Sequence, residues 1–340
     1  MSSHGDSARD GSGQNGSVQR GSVQVGASQA GSASVREHRG GLPPQEPPRP
    51  ESPRRGSTRR WRSLLWIVIG LLILLLPVPL TLWNDYHVHQ VAEQYSRLAA
   101  KGLTSEQNAK LLRQAHAYNR KLARAGHHAL PPEPATPGFD DYMRVLNVSG
   151  SEGALGRVTV PSVDIDLPVY HTTRSDVLHR GAGHMFGSDL PVGGAGTTSV
   201  ISAHTGMVNA SMFDRLPALG KGDDVYVTVA DQTLRYRVRG KRVVGPHDYR
   251  AITYEHGVDK LVLVTCTPYG LNTDRLLVEA VRVPGTAAAP PSSWHLSLSW
   301  WMILDMLLIA AIVCYLLISR CRRRRKEQRV DRSQPPDTNR

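Results

Sequence analysis

Cysteine is scarce in this chain, with three residues among 340. Cys314 lies inside a long apolar run and Cys321 just past it among arginines, so the region between the two apolar runs holds Cys266 alone. An intramolecular disulfide is thereby excluded there, leaving intermolecular pairing or a reactive thiol as the readings of Cys266. The chain has no C-x-x-C and no H-E-x-x-H, which argues against a structural zinc site, and no metal or other cofactor is expected. Papain-type and caspase-type cysteine signatures are missing too. Aromatic residues make up 6% of the chain, and residues 1–60 have none interleaved with their basic residues, which argues against nucleic acid as a partner.

What is present is an excess of positive charge, a formal net of +12. About two-thirds of the acids but only about half of the bases fall within residues 85–284, so the middle is near balance and the excess sits in the tails. Residues 64–83 and 300–319 are apolar runs, each near the ~20 residues that a spanning helix needs. A buried core helix of that length usually carries a polar stripe, and neither run shows one; Asp305, about one turn inside the second, is the exception. Arg54, Arg55, Arg59, Arg60 and Arg62 precede the first run, while Arg320 and residues 322–326 follow the second. The positive-inside rule then puts both termini in the cytoplasm and the middle outside the cell membrane. NDYHVH follows the first run where a cleaved signal would show small residues, so an uncleaved anchor is expected.

The resulting partition is a disordered basic cytoplasmic tail at 1–62, a transmembrane helix at 63–83, a helical region at 84–140 and a β domain at 141–284. A linker at 285–299, a second transmembrane helix at 300–319 and a basic cytoplasmic tail at 320–340 complete it. The first tail is rich in Gly, Ser, Gln, Arg and Pro and has almost no large apolar residue to offset its ordering entropy. Residues 85–125 read as helix stopped by Gly126, with Thr104 and Gln107 as a capping box and Leu111, Leu112, Ala115, Tyr118 and Leu122 at helical spacing. The proline-dense 129–139 reads as an extended loop. From Gly156 come short β-type runs: GRVTV, DIDLPVY, TTSVISAH, DDVYVTVA, QTLRYRVRG, RVVG, KLVLVTC and RLLVEAVRV. With no helical period between them they predict a mainly β fold, a closed barrel or a sandwich.

The run KLVLVT delivers Cys266 to a strand end, followed by the breakers TPYG. A rim position of that kind can favour thiolate, whereas a buried mid-strand cysteine is inert. Arg275, nine residues on, opens the next run, so a hairpin sets it beside Cys266, where its donors can hold a carbonyl or an oxyanion. The alternative for Arg275 is a surface ion pair with Asp274 or Glu279. His204 in VISAHTGM likewise ends a strand and can relay a proton, with His171, His179 and His184 as competitors.

These residues resemble the sortases, cysteine transpeptidases of Gram-positive surfaces, which carry a T/S-L-x-T-C motif with a downstream arginine. The motif stands here as Leu263-Val264-Thr265-Cys266. TCTPYGLNTDRLLVEA, SAHTGM, GRVTVPSVDIDLPVYHTT and HMFGSDLPVGG are similar to class C, the pilin-polymerising subgroup, and the likeness covers residues 141–283. The resemblance implies an eight-stranded sortase barrel with an N-terminal helical region, flanked by two transmembrane helices. It makes Cys266 the nucleophile, His204 the general acid/base and Arg275 the oxyanion or substrate-positioning residue, with Thr265, Thr267 and Asp274 as neighbouring substrate-binding positions. The implied reaction cleaves an LPxTG-like sorting signal at Thr–Gly through a thioester and joins pilin subunits to a lysine amine. Anchoring of surface proteins to peptidoglycan is the alternative, and an inactive surface scaffold a further one. Two departures stand out: Asp274 occupies a position where the family usually has His, and Pro137-Gly138-Phe139-Asp140 lacks the Asp-Pro-aromatic lid motif. A lid built on Phe139 and Asp140 and an open site are the two expectations that follow.

Overall fold

The computed structural model describes residues 56–129, 136–285, 287, 288, 290 and 298–332. The tail expected at 1–62 therefore lies mostly outside the described residues, as do much of the 129–139 loop and of the 285–299 linker.

The strands β1 (Ala154–Val160), β2 (Ile165–His171), β3 (Ala182–His184), β4 (Thr198–Ser202), β5 (Asp224–Val229), β6 (Gln232–Val244), β7 (Lys260–Thr267) and β8 (Asp274–Arg282) close into one barrel, in the order β1-β2-β3-β4-β7-β8-β6-β5. Closure leaves no free sheet edge. β6 shows the alternation of a half-solvated antiparallel strand, with Leu234, Tyr236 and Val238 buried between Arg235, Arg237 and Arg239. β7 instead reads as an unbroken apolar run because both of its faces are covered. Leu261 and Leu263 join the barrel core, while Val262 and Val264 pack under Ala129, Ile252 and Leu277. Burying a side chain of this kind is worth about 1.5–3 kcal/mol.

The expected strand count of eight holds, although its members differ. QTLRYRVRG and RVVG are one strand, β6, because Gly240 marks a bulge between Val238 and Gly240 and not a turn. The strand that periodicity passed over is β3, only Ala182–His184, too short to alternate.

Helices α1 (Gly56–Leu75) and α2 (Pro77–Arg97) replace the single helix expected at 63–83. Pro77 lacks an amide proton, so the helix breaks at Leu76. α2 then runs up the barrel wall, where Tyr95 donates its hydroxyl to the Leu155 carbonyl (2.8 Å) and His89 meets Asp166 (3.0 Å). α3 (Ser105–Ala125) opens on the expected capping box, Thr104 Oγ1 accepting from the Gln107 amide and Gln107 Oε1 from the Thr104 amide, and stops at Gly126 with φ 86°. Its Ala115 and Leu122 are buried, and Leu111, Leu112 and Tyr118 pack against the barrel core. α4 (Phe139–Arg144) drives Tyr142 into the interior, and α5 (Ser175–Leu178) precedes β3. α6 (Trp300–Arg332) extends beyond the expected 300–319, through the basic run, because arginine and lysine are good helix formers.

Candidate active site

The register of the β7–β8 hairpin pairs Cys266 directly with Arg275, so both side chains stand on one face of the sheet. β4 runs parallel to β7, with Ser202 abreast of Val264, and the Ala203 amide donates to the Val264 carbonyl (3.1 Å). Two residues past that last pair, His204 lines the same groove as Cys266. Thr265 ties the two strand ends together: its Oγ1 donates to the Ala203 carbonyl (2.8 Å) and shares a hydrogen bond with Thr205 Oγ1 (2.6 Å).

Cys266, His204, Arg275 and Thr265 line one groove of about 220 Å³. Its floor includes Leu178, Met185 and Val264, and one wall comes from the β6–β7 loop through His247, Asp248 and Tyr249. The sequence reading missed that wall, since a loop carries neither a helical nor a strand period. Cys266, His204 and Arg275 are each half-buried.

Two acceptors hold the Arg275 guanidinium, the carbonyls of Asn272 (3.2 Å) and Asp274 (3.0 Å), both through one terminal nitrogen. The ion pairs considered for it do not form. Glu279 is taken by Arg239 (3.2 Å) and Arg242 (2.6 Å), and the Asp274 carboxylate accepts from the Thr273 hydroxyl (2.8 Å). The other guanidinium donors meet no acceptor among the described residues. They face a groove that can supply one.

His204 has its Nε2 buried without a hydrogen-bond partner among the described residues. Burial, and then the nearby His179 ring at 5.2 Å, push its pKa below 6.5, so the imidazole is neutral at neutral pH. Of the competitors, His171 and His184 are committed to the interior. His171 bonds the Val145 carbonyl, and His184 lies between Tyr142 and the Asp189 carbonyl. His179 is exposed and contacts the Ser175 carbonyl.

Four other positions fall away from the groove. Thr267 pairs with Asp274 one step beyond Cys266 and Arg275, which sends their side chains to the opposite face. Phe139 packs edge-on against Phe186 (5.5 Å) on the barrel core, and Asp140 beside it is exposed, so neither covers Cys266. A residue that the sequence did not single out, Asp214, joins the loops flanking the groove. It accepts from the Gly206 amide (2.8 Å) and the Tyr269 hydroxyl (3.3 Å), and burial raises its carboxyl to about 6.

A closed barrel presenting a cysteine, a histidine and an arginine on one rim groove is the architecture of a cysteine transpeptidase. The Sortase domain family model matches residues 158–283. The crystal structure of Streptococcus pneumoniae sortase C is 35% identical, with a TM-score of 0.51, covering 59% of this chain and all of that one. Sortase C1 from Streptococcus agalactiae is 33% identical, with a TM-score of 0.53, over 58% of this chain and 99% of its own. Among curated proteins, sortase A of Bacillus anthracis is 29% identical over 149 residues, 44% of this chain and 69% of that protein. The chain belongs to the sortase family, with class C enzymes among its structural neighbours.

Proposed function

We propose that this transpeptidase works from the outer face of a cell membrane, with Cys266 as nucleophile, His204 as general base and acid, and Arg275 as the oxyanion-stabilising group. The observation that carries the reading is the paired register of Cys266 and Arg275 on the groove that His204 also lines.

In this mechanism the Cys266 thiol gives its proton to His204, and the sulfur attacks the threonine carbonyl carbon of an LPxTG-like sorting signal. Negative charge then develops on that carbonyl oxygen, where the free donors of Arg275 can meet it. Collapse breaks the Thr–Gly bond, His204 returns the proton to the departing glycine amine, and a thioester remains on Cys266. A lysine amine of the next pilin attacks the thioester, His204 takes its proton, and an isopeptide bond forms as the thiolate leaves. The neutral state of His204 suits this order, since it accepts first and donates second. Thr265 holds the two strand ends at fixed spacing through Ala203 and Thr205.

Two apolar helices suggest membrane association, and the arginines outside each suggest cytoplasmic termini with the barrel outside the cell. The first test is Cys266→Ala: transpeptidation of a sorting-signal peptide, and pilin ladders in cells, should disappear. Persistent ladders would overturn the assignment. Offering the wild type a pilin lysine and a peptidoglycan amine together, with the product read by mass spectrometry, identifies the acceptor.

A further inference from the structure

Both apolar helices meet the barrel at the end that carries the groove. α2 contacts the opposite end through Tyr95, which bonds the Leu155 carbonyl and the Ala230 amide. Ten residues earlier on α2, Asp85 meets the β4–β5 loop by accepting from the Ser211 amide (2.9 Å), and Thr81 donates to the Val208 carbonyl (2.9 Å). Thr81 belongs to the apolar run at 64–83, so the backbone of Val208 lies level with the last turn of that run. Just ahead of the other helix, Ser299 reaches Ser211 (3.4 Å), and Trp300, the first residue of α6, packs edge-on against Tyr269 of the β7–β8 loop (5.6 Å).

The two loops touched in this way are also the ones that follow His204 and Cys266. They are free of charge, 205–213 reading TGMVNASMF and 267–273 reading TPYGLNT, in a chain with 21% charged residues. Each presents an aliphatic side chain outward: Val208 is 70% exposed and Leu271 is 73% exposed. Beside them stand Trp83 (71% exposed) and Trp300 (61%), the residue type that collects at a membrane–water boundary. Charge begins outside this patch: the β6–β7 loop across the groove carries the exposed Asp248 and Arg250, and the β5–β6 turn at the far rim the exposed Asp231.

We infer that the side of the groove-bearing rim formed by these two loops is itself a lipid-contacting surface, with Val208 and Leu271 seated in the interfacial layer of the bilayer that the two helices cross. The occupant is lipid because the patch is continuous with the apolar helices and lacks the charge that a polar partner would require. The groove mouth then opens at headgroup level, and the apolar tips fix the tilt of the barrel over the membrane. This inference rests on the membrane-anchored reading above, and its test separates the two.

The full chain, carrying Cys266→Ala, Cys314→Ser and Cys321→Ser, would receive one cysteine at a time as Val208→Cys, Leu271→Cys, Asp231→Cys or Leu72→Cys. Each is labelled with an NBD fluorophore and reconstituted into phosphatidylcholine–phosphatidylglycerol vesicles containing nitroxide lipids. Labels at 208 and 271 should be quenched by shallow nitroxides about threefold more than the label at 231, and their emission should shift to the blue. The label at 72, within α1, should be quenched by deep nitroxides. Equal quenching at 208, 271 and 231, with 72 still quenched, would overturn the lipid surface and leave the anchor standing. An unquenched label at 72 would overturn both.

Discussion

His184 and His204 sit at the two ends of what a protein can do with an imidazole. His184 is fully buried, with Nδ1 at 3.0 Å from the Tyr142 hydroxyl and Nε2 at 2.8 Å from the Asp189 carbonyl. Desolvation drives its pKa down to about 3, and its ring has no nitrogen left to offer. His204 is half-buried on a groove wall, its Nε2 without a partner among the described residues. Burial lowers its pKa as well, but its Nε2 is left without a partner among the described residues and the residue lines the groove. The first ring is committed to structure and the second is the one proposed for chemistry, and partner count separates them where pKa direction does not.

The sharpest way to break that contrast is His204→Ala. Losing a general acid and base should lower kcat/KM by about 10²–10⁴-fold, or about 3–5 kcal/mol of barrier, while unfolding free energy moves by less than about 1 kcal/mol. Activity assays and thermal unfolding of the detergent-solubilised full chain check both halves. A variant as unstable as it is inactive would mean that His204 belongs with His184.

The next effect concerns His171, which shares the interior environment of His184. Desolvation holds its pKa down to about 4, against 6.5 for a free imidazole, and its Nε2 meets the Val145 carbonyl (2.8 Å). The unfolded chain therefore binds a proton below about 6.5 that the folded chain refuses until about 4. The stability from this ring is complete above 6.5 and is lost as the pH falls through that window, by at most about 1.4 kcal/mol per pH unit. His171→Gln should flatten the pH dependence of unfolding by up to that amount, as seen in denaturant titrations between these limits. An unchanged slope would show that the ring is not held neutral.

Smaller again is Tyr142→Phe. The hydroxyl donates to the His184 carbonyl (2.9 Å), meets Nδ1, and accepts from the Thr172 amide (3.0 Å). Removing it leaves buried polar groups unpaired, at a cost of about 1–3 kcal/mol in stability, with turnover preserved because the hydroxyl itself does not line the groove. A fall in turnover without a fall in stability would contradict the division between the two histidines.

Much of the groove was legible in the sequence because its residues end strands with strong local signals. KLVLVT followed by TPYG located Cys266 at a rim, and the nine-residue step to Arg275 agreed with the direct pairing in the hairpin. What resisted reading depends on burial or on contacts between segments distant in the chain. β3 is three residues long, β6 runs through a glycine bulge, and the wall around His247 and Tyr249 is loop. The choice among the histidines also depended on which ring nitrogens already had partners, and no spacing rule encodes that. Phe139 showed the opposite failure: an aromatic before the barrel invited a lid, yet Phe186 and Tyr142 offered it a place on the core.

Asp274 gives the smallest effect and the finest test of how far register governs the groove. An acid next to Arg275 suggests a charge that would compete for the guanidinium. The hairpin register turns the Asp274 side chain to the face away from Cys266, where it accepts from Thr273, and only its backbone carbonyl touches Arg275. Asp274→Asn keeps that carbonyl and deletes the charge, so kcat/KM should change by less than about threefold, or about 0.6 kcal/mol, an amount typical of an exposed charge seen across solvent. Added salt should shrink even that small change. A rise of tenfold or more that vanishes with added salt would mean that the carboxylate draws Arg275 away from the groove in solution, and that alternation along the strand does not isolate the two faces electrostatically.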